Sequence, residues 1–159
     1  MGDYYREPAR SAEAGRLPAP SYPPAGPPRP GVLVADHDAT VRSLLHAVLY
    51  RSGFAVYLAA DGPEAVEVYR RWRGVIKLVL LDLHLESRDS FDVLGQLKKL
   101  NPEVRCCFTA SCLGRFPSAE LLASGALRVF MKPFSLADVA RDLRELAAEE
   151  APCAAAAAC

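Results

Sequence analysis

The sequence predicts an α/β fold: a doubly wound, parallel sheet of five strands covered by five helices. Three observations predict it. Short apolar runs without polar alternation recur along the chain, the pattern of strands buried on both faces, and Leu78-Val79-Leu80-Leu81 is the clearest of them. Stretches with apolar residues spaced by three and four separate these runs, the period of helices lying on a sheet. A polar residue closes most of the runs: Asp36, Asp82, Thr109 and Lys132. Parallel strands gather such residues at the carboxyl edge of the sheet, where open α/β sheets bind ligands.

Residues 1–30 stand apart. Eight of the 13 prolines fall there, including Pro23-Pro24 and Pro27-Pro28-Arg29-Pro30. Such a segment forms neither ladder nor helix, so a disordered leader is expected. Order begins at Gly31, and the globular unit is expected over 31–149. Val32 to Ala35 is the first strand. Val41, Leu44, Leu45, Val48 and Leu49 form the inner stripe of the first helix, closed by Gly53 as a C-cap glycine. Phe54 to Leu58 is the second strand. Asp61-Gly62 turns the chain and Pro63 opens the second helix, whose Ala65, Val66, Tyr69 and Trp72 face the core. The third strand runs into Asp82. A helix over Ser90 to Leu100 buries Phe91, Val93, Leu94 and Leu97 and stops before Asn101-Pro102. Val104 to Phe108 is the fourth strand, running into Thr109. Ser118 to Ser124 is a short helix ended by Gly125. Leu127 to Met131 is the fifth strand, followed by Lys132-Pro133. Ser135 with Asp138 starts the last helix as a capping box, and Leu136, Val139, Leu143 and Leu146 line its inner face. Residues 150–159 are an Ala/Cys-rich tail.

Composition narrows the function classes. Lys+Arg and Asp+Glu both number 19, so no basic excess marks a nucleic-acid footprint. Arg70-Arg71-Trp72-Arg73 reads as a solvated helix face. The five cysteines lack metal spacing, and Cys106-Cys107 reads as core packing, so reduced thiols and a cytoplasmic location are expected. The amino terminus has no apolar signal core, and no apolar run is long enough to span a bilayer.

The strand-end residues define a chemistry. Asp36 and Asp82 brought together disfavour joint ionisation unless a cation sits between them, and a hard dication with oxygen ligands, Mg2+ by preference, meets that need. Lys132 and Thr109 add a point charge and a hydroxyl around Asp82. A nucleophilic carboxylate, a metal, a lysine and a hydroxyl together suit a transferred phosphoryl group.

In order and spacing, these pieces resemble the receiver domain of bacterial two-component response regulators over roughly Gly31 to Glu149. The matching segments are Val-Leu-Val-Ala-Asp36, Val41-Arg42, Ala60-Asp61-Gly62, Val79-Leu80-Leu81-Asp82-Leu83, Phe108-Thr109-Ala110, Ser124-Gly125-Ala126 and Lys132-Pro133-Phe134. The resemblance implies a flavodoxin-like sheet in strand order 2-1-3-4-5. It implies phosphoryl transfer from a sensor histidine kinase or phosphotransfer protein onto Asp82, with Thr109 and Lys132 assisting. It also implies Mg2+ held by Asp36, Asp82 and the backbone carbonyl of His84, and a cis Lys132-Pro133 bond. Output would be a contact with a downstream protein, since only a helix and a short tail follow Lys132. The chain is expected to be a monomer or weak dimer, without nucleic acid or membrane.

Four positions depart from the family pattern. His37 stands where a second acid is usual, so metal binding weakens, is rescued by Asp38, or shifts to Mn2+. Val129 replaces an aromatic switch residue, Glu86 a proline and Ser90 a glycine. These departures support an alternative: a pseudo-receiver that binds its partner without phosphorylation. His37 and His84 beside two acids also admit zinc, on a looser basis. A third reading is enzymatic. Val32 to Val41 resembles the first motif of haloacid-dehalogenase-type phosphatases, D-x-D-x-T-V after an apolar strand, with Asp36 as nucleophile and Asp38 as general acid. That reading wants a further acidic pair on a strand after Lys132, where the sequence predicts a helix.

Overall fold

A computed structural model of the chain describes residues 29–85, 90–112 and 118–149. The leader as far as residue 28, Glu86, and the tail with Cys153 and Cys159 lie outside the described residues. Among the described residues ten elements alternate strictly: β1 (Gly31–Ala35), α1 (Ala39–Arg51), β2 (Ala55–Ala59), α2 (Gly62–Trp72), β3 (Ile76–Asp82), α3 (Ser90–Leu100), β4 (Cys106–Ala110), α4 (Ser118–Ala123), β5 (Ala126–Met131) and α5 (Leu136–Ala148). The sheet order is β2-β1-β3-β4-β5, and each neighbouring pair is parallel. The predicted fold class and strand order are both observed. The order reverses beside β1, which lies between β2 and β3, and a reversal of this kind opens a crevice at the carboxyl edge.

Alternate strand residues feed two cores, as the pleat requires. Leu33, Tyr57, Val79, Leu81, Cys106 and Phe108 pack under α2, α3 and α4. Val32, Val34, Val56, Leu78, Leu80 and Cys107 pack under α1 and α5. The adjacent cysteines therefore lie on opposite faces, both fully buried. Burial raises the thiol pKa of each, that of Cys107 to about 12. Because the thiolate is the nucleophile, iodoacetamide at about pH 8 is expected to alkylate the exposed Cys112 and spare Cys106 and Cys107. Peptide mapping checks this, and alkylation of the pair in the native protein would contradict the packing.

The helix ends follow their sequence signals. Asp38, Asp61 and Ser135 cap α1, α2 and α5. Gly53 and Gly125 take φ of 95° and 93°, the left-handed conformation that glycine adopts without strain. Arg70 and Arg71 are exposed on α2 and Arg73 at its C-cap, with Arg70 paired to Glu67.

Three details differ from expectation. Leu44 is 50% exposed rather than part of the α1 stripe. The helix rests on the line of Val41, Leu45, Val48 and Leu49, and Leu44 falls at its margin, lining a shallow cavity with Lys132, Pro133 and Phe134. Phe91 is half-buried, tilted against Phe108 with ring centroids 5.9 Å apart. Thr109 lies inside β4 rather than beyond it. Its carbonyl accepts from Leu83 N–H at 2.8 Å, and Ala110 accepts from Lys132 N–H at 2.7 Å, which carries the ladder two residues past the apolar run. Among the described residues no helix is long and apolar enough to cross a membrane.

Candidate functional site

Parallel pairing delivers the strand-end residues to one place. Asp36 follows β1 directly, Asp82 is the last residue of β3, and Thr109 stands opposite Asp82 in the β3–β4 register. Lys132 follows β5 and precedes Pro133 through a cis peptide bond, as expected. Asp36, Asp82 and Thr109 are each 1% exposed. Buried carboxylates need partners, and each carboxylate divides its two oxygens between different ones.

Lys132 Nζ takes one oxygen from each acid, Asp36 Oδ2 at 2.7 Å and Asp82 Oδ1 at 3.1 Å. Thr109 Oγ1 lies 3.4 Å from the same Asp82 Oδ1. The other two oxygens face His37. Its Nδ1 is 3.1 Å from Asp82 Oδ2 and 3.8 Å from Asp36 Oδ1. Asp36 Oδ1 also accepts from Asp38 N–H at 2.9 Å. Burial pulls the Lys132 pKa down. The Asp36 hydrogen bond and the charges of Asp82 and Asp36 outweigh burial, and its pKa stands raised. Two carboxylates against one ammonium leave one negative charge when His37 is neutral, which favours a bound cation.

Asp38 does not join the cluster. Its carboxylate caps α1, accepting from Thr40 N–H at 2.7 Å and Val41 N–H at 3.3 Å, and these backbone bonds lower its pKa. An Asp between a strand and a helix satisfies the helix first, so the expected rescue of the metal site by Asp38 is not what the geometry provides. A carboxyl held ionised by its cap is also poorly suited to the general acid of the phosphatase reading. Among the described residues, the group of potential metal ligands is Asp36, His37 and Asp82, with one ligand atom from each within 4.8 Å of the others. His84 sits in the exposed turn past β3, its Nε2 3.8 Å from Cys112 Sγ, so the two histidines do not share one centre.

Two supporting residues were not legible in sequence. Arg42 NH1 donates to the carbonyls of Asp36 at 2.6 Å and His37 at 3.0 Å, fixing the β1–α1 turn. The Val41-Arg42 match to the family pattern marked the residue, but not the carbonyls its guanidinium would meet. Ser90 Oγ reaches the carbonyls of Asp82 at 2.6 Å and Leu83 at 2.9 Å from the first residue of α3. Serine in place of glycine was visible, but nothing in sequence showed what its hydroxyl would meet. Val129 is half-buried on β5 against the core under α2, α3 and α4.

Residues 32–144 match the family model described as the response regulator receiver domain. The chain belongs to the response regulator receiver family. The receiver is 32% identical over 102 residues to the transcriptional regulatory protein ZraR of Klebsiella oxytoca, covering 64% of this chain and 23% of that protein. It is 27% identical over 108 residues to sporulation initiation phosphotransferase F of Bacillus subtilis, covering 68% of this chain and 86% of that protein. It thus spans under a quarter of the first relative and most of the second. Among solved structures it resembles the CheX–CheY–BeF3–Mg2+ complex of Borrelia burgdorferi, with a TM-score of 0.68 and 24% identity, covering 74% of this chain and 88% of that one.

Proposed function

We propose that this receiver takes a phosphoryl group onto Asp82 from a sensor histidine kinase or phosphotransfer protein and signals through contact with a downstream protein. The arrangement around Asp82 Oδ1 carries the reading: a buried carboxylate oxygen bracketed by the Lys132 ammonium and the Thr109 hydroxyl. In the transfer, an Asp82 oxygen attacks phosphorus, the donor's P–N bond breaks, and the imidazole leaves with a proton from solvent. Lys132 moves its charge from carboxylate to phosphoryl oxygens, and the Thr109 O–H donates to one of them. Both act on charge already in place, the form of stabilisation that phosphoryl transfer relies on.

Receiver domains as a class use Mg2+, and the likeness to the CheX–CheY–BeF3–Mg2+ complex supports it here. Asp36 Oδ1 and Asp82 Oδ2, the oxygens not held by Lys132, would hold the ion, with the His84 carbonyl as a further donor. When bound, the ion supplies charge neutralisation between the acids and the incoming phosphoryl oxygens. Residues 31–149 form the phosphorylatable unit in this reading, with 1–30 and 150–159 as appendages. The receiver would work in the cytoplasm, where kinase donors and reduced thiols coexist.

Incubation with acetyl phosphate and Mg2+, followed by intact mass, tests the proposal. One added phosphoryl group is expected, absent in Asp82→Asn. No mass gain in the native chain, or equal labelling of Asp82→Asn, would overturn it.

A further inference from the structure

The division of carboxylate oxygens leaves a specific set of atoms on the open side of the cluster. Lys132 holds Asp36 Oδ2 and Asp82 Oδ1. Asp36 Oδ1, Asp82 Oδ2 and His37 Nδ1 remain facing one another. We propose that these three atoms form one face of a coordination shell in which His37 is a direct nitrogen ligand, so that the site prefers a first-row transition dication over Mg2+. The inference rests on the proposed reading that Asp36 and Asp82 hold a divalent ion.

The spacing fits. Adjacent ligands at a metal–ligand distance of about 2.1 Å stand roughly 3.0 Å apart in an octahedron and roughly 3.4 Å apart in a tetrahedron. His37 Nδ1 lies 3.1 Å from Asp82 Oδ2, within that range, and 3.8 Å from Asp36 Oδ1, just beyond it, and one ligand atom from each of the three residues lies within 4.8 Å of the others. The scaffold is already fixed. Arg42 grips the carbonyls of Asp36 and His37, and Asp38 N–H orients Asp36 Oδ1. Asp38 is committed to its cap and cannot displace the imidazole as a second acid. The His37 side chain is 41% exposed, which leaves the outer positions of the shell to water.

The donor chemistry sets the preference. Mg2+ favours oxygen ligands and keeps several waters, whereas imidazole nitrogen suits Mn2+, Co2+ and the later metals increasingly strongly. Ligation through Nδ1 would take the Nε2–H tautomer, which leaves the Nδ1 lone pair on the side of Asp82 Oδ2. The same carboxylates with a third acid in place of His37 would lose this bias.

Isothermal titration of the metal-free full chain with Co2+ and with Mg2+, at one pH and ionic strength, tests the inference in the native protein, His37→Asp and Asp82→Asn. The cobalt absorption spectrum provides a second readout. The native chain is expected to bind Co2+ more tightly than Mg2+, and His37→Asp to cut that ratio by at least about tenfold, with a loss of the nitrogen-shifted cobalt band. Asp82→Asn should weaken both ions. An unchanged ratio in His37→Asp, with Mg2+ still bound, would overturn the inference and leave the Mg2+ reading standing. Cobalt binding unaltered in Asp82→Asn would place the ion elsewhere and overturn it as well. Failure of both ions to bind the native chain and His37→Asp would remove the divalent-ion reading itself.

Discussion

Phe108→Ala is expected to remove about 3–5 kcal/mol of folding stability. Phe108 is wholly buried in β4, between β3 and β5 in the sheet, and its ring packs against Phe91 of α3. Backbone pairing on both sides holds β4 in place, so the strand cannot settle into the space an alanine leaves. The opposite face of the strand offers no slack either, because Cys107 is equally buried beneath α1 and α5. Domains of this size hold only about 5–15 kcal/mol in total, so one ring carries a large fraction of the fold. Urea denaturation measures the loss. A change below about 1 kcal/mol would mean that the cavity collapses freely, contrary to the packing described.

The second large effect is at Lys132. Lys132→Met in metal-free buffer is expected to cost about 2–3 kcal/mol, less than the 3–5 for a fully buried pair because the ammonium is partly exposed. The substitution leaves Asp36 and Asp82 adjacent without the cation that binds an oxygen of each. Adding a divalent ion should recover part of the loss, since it meets the same charge. The pH dependence has a definite sign. The folded Lys132 pKa is raised above its ordinary value of 10.5, so its contribution is fully present below that value and is lost as pH rises through the folded pKa. The native chain should therefore lose stability in strong alkali by a component that Lys132→Met lacks. Denaturation midpoints for both proteins across that range check it, and parallel curves would contradict it. Asp82→Asn in the Lys132→Met background should restore stability by relieving the repulsion.

The strands were legible because burial on both faces writes itself as uninterrupted apolar runs, and Leu78 to Leu81 could belong to little else. The convergence of Asp36, Asp82, Thr109 and Lys132 followed from parallel topology alone. What stayed hidden was the use of each polar atom. Asp38 could serve a metal or a helix by sequence, and only the capping geometry separates the two. The pairing of Lys132 with one oxygen of each acid depends on the angle at which β5 ends, which no local pattern encodes. Leu44 shared the spacing of its neighbours yet missed the contact line, because an apolar stripe is broader than the surface it covers.

Ser90 has a mechanical consequence. Its hydroxyl ties the first residue of α3 to the main chain of Asp82, eight positions earlier. A displacement of the Asp82 backbone thus reaches α3 across one short tether instead of along the intervening chain. The helix is coupled to the acid as a lever is to its pivot, and α3 joins the paired strands as an element that feels what happens at the end of β3.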